Sequence, residues 1–92
     1  MQSKLLYKIH VTGHVQGVGF RWNAAKEARD LGIKGFIQNL PDGSVYIEAE
    51  GTADQLNIFI EWCRRNPGSS IVESVTADIS QVVNYIEFYI RP

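Results

Sequence analysis

The chain has 92 residues, 45% of them hydrophobic and 21% charged, with a net charge of −1. This fits one small domain, 1–92, with enough apolar side chains for a core and no field strong enough to recruit nucleic acid or an anionic membrane. Cys63 is the single cysteine, so no internal disulfide can form, a zinc site lacks its ligands, and a reducing, cytoplasmic setting is expected.

The opening segment, Met1 to Lys8, lacks the uninterrupted apolar stretch of a signal peptide. No apolar run approaches the ~18 residues of a membrane span. Lys4 to Thr12 alternates, with Leu5, Tyr7, Ile9 and Val11 on one face and Leu6, Lys8, His10 and Thr12 on the other. Period two predicts a strand with one face buried. His10 reads as an exposed or helix-covered strand residue, and neither His10 nor His14 shows metal-ligand spacing.

The stretch from Val11 to Arg21 holds Gly13, Gly17 and Gly19 between that strand and an Ala-rich segment. Glycine lets a backbone turn with positive φ and approach a ligand closely. A helix that starts just after such a loop points unpaired N–H groups and its positive dipole end into it. Together they describe an anion seat suited to phosphate. Arg21, in the first helical turn, adds a fixed charge with a planar fork of donors. The plainer alternative stands beside it: three turn glycines that serve geometry alone. The loop is not a Walker A sequence, and its glycine spacing is not that of a dinucleotide fingerprint.

Arg21 to Leu31 reads as a helix, with Ala24, Ala28 and Leu31 at helical spacing and Gly32 as its stop. Trp22 is either a ligand-stacking ring or a partly buried packing aromatic, and packing is the expected role. Ile33 to Leu40 and Ser44 to Glu50 read as strands joined by the tight turn Pro41, Asp42, Gly43. Asn39 stands out because Asn is depleted in strands. Its alternative role is to begin the turn and bond local backbone.

Gly51 ends the hairpin, and Thr52 with Gln55 forms a capping-box pattern for a second helix. Leu56, Phe59, Ile60 and Cys63 make a single apolar stripe, so Cys63 reads as core and not as a nucleophile. Arg64 and Arg65 suit the helix C-terminus as solvated cations, with a second anion site as the minor alternative. Asn66 to Ser70 stops the helix. Ile71 to Ser80 reads as a strand with Ile71, Val75, Ala77 and Ile79 on one parity and Glu73 breaking the pattern. Gln81 to Asn84 connects it to a last strand, Tyr85 to Arg91. There Ile86, Phe88 and Ile90 are expected inward, and Tyr85, Glu87, Tyr89 and Arg91 outward.

The order is β-α-β-β-α-β plus a terminal strand. It predicts an α+β, ferredoxin-like split βαβ sandwich, with an antiparallel sheet and two helices on one face. That fold by itself decides no function.

Two stretches resemble the acylphosphatase family. Val11 to Arg21 is similar to its phosphate-loop signature at every defining position. Gly35, Phe36, Ile37, Gln38 and Asn39, followed by Gly43, Val45 and Gly51, match its second motif. Ile37 departs from the smaller residue usual there. The resemblance implies hydrolysis of the carboxyl–phosphate bond of small acyl phosphates, with inorganic phosphate as product and neither metal nor cofactor. It implies that Arg21 holds the phosphoryl group, that Asn39 positions the attacking water, and that main-chain amides of His14, Val15, Gln16, Gly17, Val18 and Gly19 cradle the phosphate. A cytoplasmic monomer is expected, with no nucleic-acid or membrane partner. The competing class is a non-catalytic module of the same fold that binds phosphate or a small anion for regulation. A nucleic-acid module would use Tyr7, Phe36 and Tyr46, which read more simply as packing residues.

Overall fold

The computed structural model describes residues 3–92; Met1 and Gln2, part of the segment read for a signal peptide, lie outside them. Seven elements follow in order: β1 (Leu5–His14), α1 (Phe20–Asp30), β2 (Lys34–Asn39), β3 (Val45–Gly51), α2 (Ala53–Arg64), β4 (Ile71–Ser80) and β5 (Phe88–Ile90). The strands form one sheet in the order β4-β1-β3-β2-β5. The first four neighbours pair antiparallel, as expected. The terminal strand instead lies parallel to β2, through Gly35 N–H to the Glu87 carbonyl at 2.9 Å and Arg91 N–H to the Ile37 carbonyl at 2.8 Å. The sheet is therefore mixed rather than wholly antiparallel. No helix of the described residues is long and apolar enough to cross a membrane.

The alternation read from the sequence sets the core. Ile9 and Val11 of β1 and Val45, Ile47 and Ala49 of β3 are fully buried against Phe20, Ala24, Ala28, Leu56, Phe59 and Cys63 of the helices. Alanines on α1 let that helix pack closely. Its C-terminus closes in a Schellman arrangement, with Gly32 N–H on the Arg29 carbonyl and Ile33 N–H on the Ala28 carbonyl. At the other helix the capping box forms as its spacing predicts: Thr52 Oγ1 accepts from Gln55 N–H at 3.2 Å, and Gln55 Oε1 accepts from Thr52 N–H at 2.8 Å.

Of the last two strands, β4 forms with the expected bounds and the final strand departs from them. In β4 only Val75 is buried, while Ile71 and Ile79 are exposed. β4 is an edge strand, and its register against β1 breaks at Thr12 and Gly13: Thr12 pairs with Ser74 and Gly13 with Val72, leaving Glu73 unmatched. Glu73 is thus the bulged residue, which explains why it interrupted the apolar parity. Gly13 is required at this point. A Cβ there would sit 2.2 Å from the Ile71 carbonyl oxygen.

The final strand is only three residues long, and Ile86 is almost fully exposed. To run from one edge of the sheet to the other, the chain after β4 crosses the face opposite the helices. It is fastened there by Glu50, whose buried carboxylate accepts the main-chain N–H groups of Val83, Asn84 and Tyr85. Tyr85 also donates to Glu48 at 2.7 Å and packs edge-on to Phe36. Leu6 and Phe36 are buried on the far face, Phe36 against Tyr85 of this crossing. The alternation over residues 85–91 reads as one strand because a sequence does not reveal that Tyr85 and Tyr89 pack on Phe36 in this second, smaller core.

Candidate active site

The loop between β1 and α1 sits at the mouth of the first helix. Gly17 and Gly19 have φ of 75° and 78°, conformations that glycine adopts without strain. Gly19 is the N-cap of α1 in the left-handed region, and no side chain caps the helix. The first-turn amides have no intrahelical acceptors, and no acidic residue stands in that turn. The helix end is therefore electropositive and chemically open, the arrangement that accepts an anion.

A cleft of about 330 Å³ opens at this point. Val15, Gln16, Gly17, Gly19 and Arg21 line it from the loop and α1, Asn39 from the end of β2, and Trp22, Phe20 and Ile90 complete the wall. Arg21 is held by a hydrogen bond from Nη1 to the Arg91 main-chain carbonyl at 2.7 Å. Arg91 in turn lies with its guanidinium over the Phe36 ring, 3.7 Å from the centroid. Stacking of Arg91 on Phe36 thus helps fix the carbonyl to which Arg21 is bonded.

Asn39 is the last residue of β2, opposite Val45. Among the described residues, its Oδ1 is the one buried side-chain polar atom without a hydrogen-bond partner. An unsatisfied buried acceptor costs about 1–3 kcal/mol, and such atoms concentrate where a site awaits water or a ligand. The turn-bonding role left open for Asn39 belongs to Asp42 instead: its Oδ1 accepts the Ser44 N–H at 2.9 Å and the Ser44 hydroxyl. These bonds, the side-chain one foremost, hold the Asp42 carboxyl below its ordinary range. Ser44 also meets His10 Nε2 at 2.7 Å, so His10 braces the hairpin from the sheet face.

The other predicted residues are placed as follows. Gln16 lines the cleft, yet its side-chain amide points to the hairpin, donating to the Leu40 and Ser44 carbonyls at 2.8 Å each. It is the tie that holds the loop against the turn carrying Asn39. Val15 is buried, and Val18 packs its side chain against the core without lining the cleft. His14 also stands apart from the cleft: it ends β1, exposed and paired with Ile71, because the strand runs two residues further than its alternation suggested. Trp22 is the residue that sequence reasoning assigned least well. It is 69% exposed at the rim of the cleft, and core packing is done by Trp62, stacked on Phe59. Its position beside Arg21, off the α1 stripe of Phe20, Ala24 and Ala28, was the available signal.

Tyr7 packs against the core and Phe36 is buried, so the three aromatics considered for nucleic acid do not form an open platform. Cys63 lies in the α2 core, where burial pushes its thiol up to about 12. Arg64 pairs with Glu61 at the exposed end of α2. Among the described residues no group of three or more His, Cys, Asp or Glu side chains is placed to hold a metal ion.

Comparison with known proteins gives a consistent answer. The acylphosphatase family model matches residues 7–90. An acylphosphatase of Deinococcus radiodurans is 45% identical over 80 residues, covering 87% of this chain and 92% of that protein. An acylphosphatase of Archaeoglobus fulgidus is 43% identical, covering 88% and 91%. The crystal structure of acylphosphatase from Bacillus subtilis superposes with a TM-score of 0.92 at 35% identity, over 96% of this chain and 99% of that one.

Proposed function

The chain belongs to the acylphosphatase family, and from that premise we propose that it hydrolyses small acyl phosphates to a carboxylate and inorganic phosphate in the cleft at the N-terminus of α1. The observation that carries this reading is the meeting of Arg21, from α1, and Asn39, from β2, across one open cleft beside the glycine loop. The enzyme class follows from the family; the residue roles are the proposal.

An acyl phosphate is a mixed anhydride whose leaving group is a carboxylate, so the reaction needs little acid catalysis. Phosphoryl transfer is chiefly a matter of positioning and of stabilising spread charge. Arg21 and the main-chain amides of the loop from Val15 to Gly19 grip the phosphate oxygens, doing the work a metal does elsewhere. Asn39 holds a water in line with the phosphorus through its amide, whose Oδ1 is free to accept. Water oxygen bonds to phosphorus, the bond from phosphorus to the acyl oxygen breaks, and the carboxylate departs with that electron pair. The proton of the water passes to a phosphate oxygen of the substrate.

The test is phosphate release from acetyl phosphate, with and without chelator. Turnover that survives the chelator supports the metal-free hydrolase. Binding of inorganic phosphate with no turnover would instead favour the regulatory anion-binding module.

A further inference from the structure

We propose that Trp22 sets the acyl preference of this enzyme: its indole is the seat for a planar, apolar acyl group, an aroyl above all. The inference rests on the hydrolase reading and deepens it.

The cleft is chemically two-sided. Arg21, Asn39 and the loop form a polar end, while Trp22, with Phe20 and Ile90, gives the wall an apolar part. A phosphate dianion has no use for apolar walls. The part of the substrate that does is the acyl substituent, joined to the phosphate through one bridging oxygen. Trp22 follows Arg21 directly in the first turn of α1, and both residues line this one cleft. A phosphate held at Arg21 therefore leaves its substituent next to the indole.

Trp22 has no competing structural duty. It is 69% exposed. The aromatic packing between the helices is supplied by Trp62, whose ring centroid is 6.1 Å from that of Phe59 with an interplanar angle of 8°, and 6.1 Å from that of Phe20. An exposed indole on a rigid helix, lining a cleft, is a preformed stacking surface. A planar aroyl group gains both burial and stacking there, whereas an acetyl group brings only a methyl. Contact remote from the reacting bond is made in ground state and transition state alike, so it is read in KM more than in kcat.

The experiment compares benzoyl phosphate with acetyl phosphate in the full chain. In Trp22→Ala the ratio of kcat/KM for benzoyl over acetyl phosphate should fall about tenfold, mostly through the benzoyl KM, and Trp22→Phe should restore most of it. With Trp62→Phe as background, Trp22 is the sole indole, and phenylphosphonate should change its fluorescence where inorganic phosphate does not. A ratio unmoved in Trp22→Ala, or identical fluorescence responses, overturns the acyl seat while leaving the hydrolase in place. If neither acyl phosphate turns over in the unaltered chain, the hydrolase reading itself fails and the seat with it.

Discussion

The Arg21 guanidinium is anchored on the main-chain carbonyl of Arg91, 2.7 Å away, so the first turn of α1 is joined to the residue following β5. One edge of the guanidinium is thereby occupied, and its remaining donors are left for a ligand in the cleft. On the proposed role of Arg21, the anchor fixes the side chain before a substrate arrives, which lowers the ordering cost of binding.

Arg21→Gln is expected to weaken inorganic phosphate binding and to lower kcat/KM for acetyl phosphate by ~10²–10³. Arg21→Lys keeps the charge and loses the planar fork, so it should recover only part of the loss. Steady-state kinetics together with calorimetric titration of phosphate measure both; wild-type values in Arg21→Gln would remove the residue from the mechanism.

Asn39→Ala should separate binding from chemistry. Turnover is expected to drop by ~10²–10³ through loss of one preorganised hydrogen-bonding group, while inorganic phosphate still binds. Because the Asn39 Oδ1 has no partner in the fold, its removal should cost little stability. A folded Asn39→Ala protein with full activity would contradict the assigned role.

Gln16→Ala removes two hydrogen bonds, to the Leu40 and Ser44 carbonyls. At about 0.5–1.5 kcal/mol each, the expected loss is about 1–3 kcal/mol. Urea denaturation gives the value directly. Unlike Arg21→Gln, this variant should lose stability and activity together, since it frees the loop from the hairpin; unchanged stability would show that the tie is absent in solution.

The alkaline limb of stability should be steep. Burial moves the Cys63 thiol from 9.0 up to about 12. Burial, reinforced by hydrogen bonding to Glu48, also raises Tyr46 and Tyr85 above their ordinary values. A raised folded pKa means that the unfolded chain gives up its proton first, so the contribution is whole below about pH 9 and is lost as pH climbs toward about 12. Urea midpoints should stay level near neutrality and decline above about pH 9, and Tyr85→Phe should soften the decline above about pH 10. Midpoints level to about pH 11 would show that these groups are not shielded as the fold implies.

Gly13→Ala and Gly17→Ala should differ in severity. The first places a methyl 2.2 Å from a backbone oxygen of β4, and the bulge cannot yield without breaking the β1–β4 ladder. The second meets nothing within 4 Å and carries only the strain of a φ of 75°, about 1–2 kcal/mol. Thermal unfolding of the two variants checks the order.

Much of the architecture was legible because local signals agreed with it. The capping box at Thr52, the stripe from Leu56 to Cys63, the turn at Pro41 to Gly43 and the alternation of β1 and β3 each follow from spacing and survive in the structure. The parallel seating of β5 was not legible, since the pairing of Phe36 with Tyr89 is a tertiary choice. Nor was the fate of Ile86, Ile71 and Ile79: apolar parity marks a face and does not say whether anything covers it. Around the cleft, the loop and Arg21 stand where glycine spacing and helix onset place them. Trp22 was misjudged because an indole beside a helix start has no spacing of its own to separate rim from core.

The strand order has a kinetic consequence. Only β2 and β3 meet through a tight turn; β1 must find β3, then β4, with Leu6 opposite both Glu50 and Ser80. Large loops have to close before most of the sheet rewards the chain, so folding should run slowly for a molecule of this size, on the order of milliseconds to seconds. The cleft at the mouth of α1 needs β5 as well, since Ile90 lines it and that strand joins the sheet without a local hairpin to guide it.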